Sequence, residues 1–235
     1  MINQIRKEIK TISDPKRATA LQRFFKTGKG EYGYGDVFVG LTLPQIRNLV
    51  KKYQEMDLKD VVMLLQSKIH EERMIALLVL VEQYKKANEK VKKQIFNLYL
   101  ANTKYINSWD LVDVTTPRII GEYLKDKDRS ILYKLAKSDG LWEKRISIMA
   151  TYQFIATLKQ FKDTFAIADI LLNDKHDLIH KAVGWMLREV GKRISQETEE
   201  EFLKTRYKKM PRTMLRYAIE RFPEDLRLKY LKGNV

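Results

Sequence analysis

The chain contains no cysteine, and that absence excludes a disulfide framework, a thiolate nucleophile, a cysteine-based structural zinc site and an iron–sulfur cluster. A reducing cytosol is the compartment that fits best, and a cytoplasmic protein is expected. Proline and glycine are scarce too, at 5 and 10 in 235 residues. Gly28, Gly30, Gly33, Gly35 and Gly40 crowd into one short segment, so the rest of the chain runs long distances without a breaker, as helical proteins do. No apolar run approaches the roughly 18 residues of a membrane span, and the first residues, Met1 to Lys7, read as the start of an amphipathic helix rather than a secretory signal. Acidic residues are outnumbered, 30 Asp and Glu against 45 Lys and Arg, for a formal net charge of +15. An excess of that size points to a polyanionic partner. What is present in quantity is apolar: 44% hydrophobic residues suffice to bury a core, and residues 1–235 are read as one domain.

Between His70 and Lys85 the residues Met74, Leu77, Leu78 and Val81 recur at helical spacing, and Ile179, Ala182, Val183, Met186 and Val190 do the same further on. No comparable stretch alternates with period two. The pattern predicts helices near 2–12, 16–26, 44–54, 58–66, 70–86, 88–102, 109–125, 129–138, 141–156, 159–173, 177–192, 198–208, 212–221 and 224–232. A longer period overlies these. Arg73, Trp109, Arg145 and Lys181 stand 36 residues apart, each near the start of an apolar helix, and the next step lands within Met214–Ala218, beside Arg216. Two helices per period, each pair too small to bury its own apolar face, describe an all-α fold, an α-solenoid of helical hairpin repeats. If equivalent helices line one concave surface, Arg73, Trp109, Arg145, Lys181 and Arg216 follow one another along a groove suited to duplex DNA.

Two motifs are set aside. Gly28-Lys29-Gly30-Glu31-Tyr32-Gly33 has the glycine spacing of a dinucleotide fingerprint, but no strand precedes it and no helix opens on its third glycine. It reads as a flexible connection to a helix near Pro44, with Thr42 as N-cap. His176 and His180 are four apart on a helix, but Asp177 stands where a zinc protease carries glutamate and no third ligand is evident. They are expected on the surface, and no metal or other cofactor is expected.

A third constellation is harder to explain by packing. In Ser108-Trp109-Asp110-Leu111-Val112-Asp113, Trp109 and Asp113 are four apart and share a helix face, with Ser108 placed to cap the helix. Lys181, Gly184, Trp185 and Arg188 share a face distinct from the Ile179, Ala182, Val183, Met186 stripe, which puts a tryptophan among cations. A carboxylate in a groove built for polyanions is electrostatically awkward; a cationic transition state beside the DNA backbone would give it a purpose.

These segments, with Leu141-Trp142-Glu143-Lys144-Arg145 and Gly40-Leu41-Thr42-Leu43-Pro44-Gln45-Ile46-Arg47, resemble the AlkD family of bacterial DNA alkylation repair glycosylases over most of the chain. The resemblance implies a HEAT-like solenoid that clasps duplex DNA and excises N3-alkyladenine and N7-alkylguanine with the lesion still in or near the stack. It makes Trp109, Asp113 and Trp185 the catalytic cluster and Arg145 a backbone contact beside it. Lys144, Lys181, Arg188, Arg73 and Arg216 are the further DNA-binding candidates. Two departures bear on lesion preference: the glycine-rich stretch is longer, and a second tryptophan often found beside the Trp109 position is replaced by Asn107-Ser108.

The chemistry agrees with the assignment. A purine alkylated at N3 or N7 is cationic, so it leaves as a neutral molecule without a strong acid, while the deoxyribose becomes oxocarbenium-like. One carboxylate and aromatic faces near C1′ then suffice, unlike the carboxylate pair of glycoside hydrolysis. Between Leu203 and Lys232 ten cations stand against Glu220, Glu224 and Asp225, which suits salt-sensitive, sequence-independent phosphate binding. Glu197, Glu199, Glu200 and Glu201 just before them are expected at a helix N-terminus, facing solvent. The expected partner is duplex DNA containing alkylated purines, bound by a monomer that needs no membrane or protein partner. The alternatives are a HEAT-repeat protein that binds duplex or branched DNA without hydrolysis, and a helical scaffold for proteins or RNA.

Overall fold

Thr42 shows how the sequence starts a helix. Its hydroxyl accepts the Gln45 N–H, and the Gln45 side chain accepts the Thr42 N–H at 2.7 Å, a reciprocal capping box with Pro44 in the first turn. Asp14 does the same work ahead of Pro15, and Asn88 and Ser195 cap two later helices. The computed structural model describes residues 1–235. It contains α1 (Ile2–Thr11), α2 (Pro15–Phe24), α3 (Leu43–Tyr53), α4 (Leu58–Leu65), α5 (His70–Lys86), α6 (Glu89–Ala101), α7 (Trp109–Thr116), α8 (Ser130–Ala136), α9 (Leu141–Gln153), α10 (Lys162–Ile170), α11 (Asp177–Arg193), α12 (Gln196–Lys204), α13 (Arg212–Ala218) and α14 (Glu224–Lys232). No strand forms, and an isolated parallel bridge between Val37 and Ile69 is the one extended pairing. No helix is long and apolar enough to cross a membrane.

Two helices, α7 and α9, give way to π-helical turns before the ends their periodicity implies. Pro117 has no N–H for the Asp113 carbonyl four residues back, so α7 stops at Thr116 and the chain continues as a π-helical turn over Pro117–Gly121. A second π turn, Phe154–Leu158, follows α9 and stops at Lys159 in the left-handed region (φ 57°).

The chain divides into two compact units, Met1–Thr115 and Thr116–Val235. In the first, α3 and α4 pack on α5. Both faces of α5 are covered: His70 through Leu77 and Val79 through Val81 are all buried, so burial extends beyond its apolar stripe to the charged residues of its first turn. In the second, α9 packs on α11 and α11 on α13, with α8 against α9 and α12 against α11. In this second unit, α9, α11 and α13 touch in order, as the stacked repeats of a solenoid do. Gly184 makes the α11–α13 contact possible. A Cβ there would collide with the Met214 carbonyl oxygen and the Tyr217 Cβ, so this glycine faces a neighbouring helix and not the open cationic face.

One acidic residue departs from its expected place. Glu199, in the first turn of α12, is 2% exposed and lies against Gly191 of α11, whose missing side chain leaves room for the carboxyl. Burial pushes its pKa from 4.5 up to about 9, against the smaller opposing pull of Arg188. The acid run therefore marks the helix start, as expected, but one of its members faces inward.

Two outcomes follow from this packing. Gly184→Ala should destabilise the protein by about 1–3 kcal/mol, from overpacking at a backbone contact, read as a lower denaturation midpoint with an unchanged denaturant slope. Glu199 is neutral when folded and ionised when unfolded between pH 4.5 and about 9, so folding takes up a proton there and stability falls as pH rises through that window. Glu199→Gln should remove this fall; urea midpoints at pH 5 and pH 8 measure it.

Candidate functional site

The chain enters α7 through a 3₁₀ turn, Thr103–Tyr105, and buried Ile106. Trp109 is the first residue of α7 and Asp113 lies one turn later, both half-buried. The tryptophan ring is held on several sides. It stacks on Phe25 (5.3 Å between centroids, 17° between planes), and Phe24 meets it edge-on at 6.0 Å. Its indole Nε1–H donates to the Tyr32 hydroxyl at 3.1 Å. The stack continues inward, Phe25 on Phe38 at 4.9 Å and Phe38 on His70 at 4.4 Å. Such aromatic pairs add about 0.5–1.5 kcal/mol each beyond their buried area, so the orientation of Trp109 is specified by its neighbours. Phe24, at 64% exposed, leaves an aromatic edge open to solvent beside it.

Below the stack lies a buried cluster of charge. His70 Nδ1 is 3.1 Å from Asp36 Oδ2, and Nε2 is 2.9 Å from Asp110 Oδ2. Arg73 Nη2 donates to the same Asp36 oxygen at 2.6 Å, while Asn107 Nδ2 donates to Asp36 Oδ1 at 3.1 Å. Burial alone would raise the Asp36 pKa; the His70 hydrogen bond, the Arg73 and His70 charges and the Asn107 hydrogen bond outweigh it and hold the carboxyl below 3.8. Burial alone would lower the His70 pKa, and the hydrogen bonds to Asp110 and Asp36 outweigh that and raise it above 6.5.

The glycine-rich stretch is thus a built element of this site rather than a plain connection. It supplies Tyr32, Asp36 and Phe38. Gly40, at φ +84°, packs against the backbone at the start of α2, and the buried Glu71 carboxylate accepts the N–H groups of Val39, Gly40 and Leu41. Glu72 next to it accepts from Arg6.

In the second unit Trp185 is half-buried on α11, and its indole N–H donates to Glu189 Oε1 at 3.3 Å. Glu189 is held in turn by Arg193 Nε at 2.6 Å, and Arg193 donates to the Tyr152 hydroxyl at 2.6 Å. Lys181 pairs with Asp177 at 2.7 Å, Lys144 with Asp174 at 2.9 Å, and Arg188 with Glu220. Arg216 is exposed. Lys204, Lys208, Lys209, Arg212, Arg221, Lys229 and Lys232 are exposed as well, whereas Arg206 and Arg227 are ion-paired to Asp169 and Glu224.

Several expected positions read differently in the structure. Arg73 is 2% exposed and paired to Asp36, because α5 is buried on all sides; it leaves the row of surface cations. Arg145 is 4% exposed and donates to the Leu178 carbonyl at the start of α11, so its guanidinium braces two helices of the second unit. The Ser108 hydroxyl is buried without a hydrogen-bond partner and does not cap α7. His176 caps α11 by accepting the Leu178 N–H, and half-buried His180 bonds the Asp174 carbonyl. The residues that sequence reasoning missed are Phe24, Phe25, Tyr32, Asp36, Phe38, His70 and Asp110. The available signals were the Phe24-Phe25 pair, the aromatics set between the glycines, and an acid directly after Trp109.

Compared with known proteins, the sequence matches a family model described as DNA alkylation repair enzyme over residues 5–222. No curated protein matches it. A solved structure described as a predicted DNA alkylation repair enzyme from Enterococcus faecalis superposes with a TM-score of 0.67 over 90% of this chain and 97% of that one, at 15% identity. At that identity the likeness speaks for the fold, and the family model, which spans most of the sequence, speaks for descent: the chain belongs to the DNA alkylation repair enzyme family.

Proposed function

We propose that the protein is a monofunctional DNA glycosylase that removes cationic alkylpurines, N3-alkyladenine and N7-alkylguanine, from duplex DNA by hydrolysing the N-glycosidic bond. The observation that carries the reading is the pair Trp109 and Asp113, an aromatic face and a carboxylate one helical turn apart on α7, with the ring oriented by Phe24, Phe25 and Tyr32. Membership of the DNA alkylation repair enzyme family supports DNA as the substrate.

In the reaction the C1′–N bond breaks with its electron pair going to the cationic base, which departs neutral. The deoxyribose takes up oxocarbenium character. The Asp113 carboxylate stabilises that charge and orients a water whose oxygen bonds to C1′; the water's proton passes to the carboxylate and on to solvent, leaving an abasic site. Trp109 contributes cation–π attraction and contact with the sugar C–H groups. Trp185, anchored through Glu189, offers an aromatic surface of the same kind in the second unit. No deep base pocket is required if the lesion is read in or near the stack, as the AlkD resemblance implies. The exposed cations of the C-terminal helices, with Lys181, Lys144 and Arg188, serve phosphate; Arg145 acts by bracing α11.

Methylated duplex DNA tests this directly. The wild type should release N3-methyladenine and N7-methylguanine, and Asp113→Asn should cut single-turnover release by at least about a hundredfold, the usual cost of removing one preorganised electrostatic group. Neutral lesions should be poor substrates, since their leaving groups carry no activating charge. Release by neither protein would end the glycosylase reading, and binding without release would leave a DNA-binding protein. Equal release by both would spare the activity and remove the role of Asp113. Arg216→Ala should lower the slope of log affinity against log salt by about one unit, measured by fluorescence anisotropy.

A further inference from the structure

The chemistry assigned to Trp109 and Asp113 leaves the charged cluster beneath them without work. His70 and Arg73 are 3% and 2% exposed, Asp36 7%. Asp110 directly follows Trp109 in the chain. Burying four ionisable groups below a half-exposed aromatic ring is costly unless they are paired and needed.

The geometry points to His70, in its doubly protonated form, as a positioning residue: the imidazolium bridges Asp36 of the glycine-rich segment and Asp110 of α7, and thereby holds Trp109 and the first turn of α7 in the arrangement that excision uses. This rests on the glycosylase reading above. The protonation state follows from the contacts. A neutral imidazole has a single N–H, so it can donate to one carboxylate and must turn a lone pair toward the other; only the imidazolium donates to both Asp36 and Asp110. With Arg73, two cations then face two carboxylates.

Both arms of the bridge end beside contacts of Trp109. Asp110 shares a peptide bond with it. Asp36 lies between Tyr32, which takes the indole N–H, and Phe38, which stacks on His70 and on Phe25. The two carboxylates are not equally provided for. Asp36 also has Arg73 and Asn107, whereas the second Asp110 oxygen is buried without a partner. Loss of the His70 proton breaks one arm whichever nitrogen keeps the remaining hydrogen, and the link between the segment and α7 loosens.

The groups that face His70 are Asp36 from the segment, Asp110 and uncharged Asn107 from the approach to α7, and Arg73 from its own helix. Phe25 and Phe38 cover the ring faces. Glu71 and Glu72 are engaged by the Val39–Leu41 backbone and by Arg6. The resulting pKa lies above 6.5. The bridge therefore contributes fully below pH 6.5 and is lost as pH rises through the higher folded value.

The chain has 3 histidines, so imidazole NMR signals can be followed one by one. In the wild type one signal should titrate above 6.5 and move down in Asp36→Asn. Single-turnover release of N7-methylguanine should decline with the same midpoint while duplex affinity stays level. His70→Gln should bind DNA within about twofold of wild type, slow release about tenfold or more, as small misplacements of catalytic groups do, and lose the alkaline decline. Emission from Trp109 alone, in a Trp142→Phe/Trp185→Phe background, should change at that midpoint and not in His70→Gln. Should His70→Gln fail to fold, Asp36→Asn and the wild-type titration decide the matter. A His70 signal titrating at or below 6.5, or a His70→Gln enzyme with wild-type rate and pH profile, overturns the proposal. A wild type that releases no base overturns the glycosylase reading instead, and the Trp109 emission then decides whether the bridge holds the ring.

Discussion

The Asp36 carboxylate is buried, and a buried charge must be met by donors or it will not stay ionised. Those donors come from two further places: Arg73 and His70 on α5, and Asn107 on the approach to α7. A single acidic group in a glycine-rich segment thus ties the segment, the central helix of the first unit and the start of the proposed catalytic helix into one arrangement. Ion clusters of this kind add little net stability compared with an apolar core of equal size. Their effect is on uniqueness, because moving any one member leaves the others uncompensated. The aromatic stack from Trp109 to His70 lies on this base, and its order is inherited from it. Buried polar atoms without partners gather here as well, Arg73 Nε, Asn107 Oδ1, Ser108 Oγ and Asp110 Oδ1. Incomplete satisfaction of that sort is tolerated in native proteins mostly where a site is paid for by function.

Helix identity was legible because capping and periodicity are local. Thr42 with Gln45, and the stripes of α5 and α11, needed no knowledge of neighbours. Helix ends were less so, although Pro117 forbids the bond that would have continued α7. The facing of individual charges was the weakest reading. The 36-residue register placed Arg73 correctly near the start of α5, but a register gives position along a helix, and exposure depends on what packs against it. Arg73 and Glu199 failed for the same reason: composition assigns charges to solvent by default, while α5 is surrounded and Gly191 opens a recess over which Glu199 lies.

At the site, Trp109 and Asp113 could be paired from sequence because four residues make one helical turn. Their supporting residues could not. Tyr32 is 77 positions from Trp109, and Asp36 is 34 from His70. The sequence reads the glycine-rich segment as a flexible connection, but Gly33 and Gly40 serve close approach to neighbouring backbone, and Gly40 in the left-handed region leaves its N–H among those gathered by Glu71. The excess positive charge likewise separates only once partners are known. Arg6, Arg73, Arg188 and Arg193 are each paired with a carboxylate, while exposed cations are spread along the chain from Lys7 to Lys232.

Two tryptophans are each followed four residues later by a carboxylate, and the structure holds the two rings differently. On α11 the Trp185 indole N–H is donated to Glu189 itself, and Arg193 neutralises that carboxylate from the other side. Glu189 is consumed in holding the ring. On α7 the Trp109 indole N–H goes to Tyr32, so the ring is oriented by a neutral hydroxyl from the glycine-rich segment and makes no demand on Asp113. Tyr32 therefore orients the Trp109 ring in place of a carboxylate on the same helix. The same four-residue spacing thus serves two ways of holding a ring, through the following carboxylate on α11 and through a hydroxyl distant in sequence on α7.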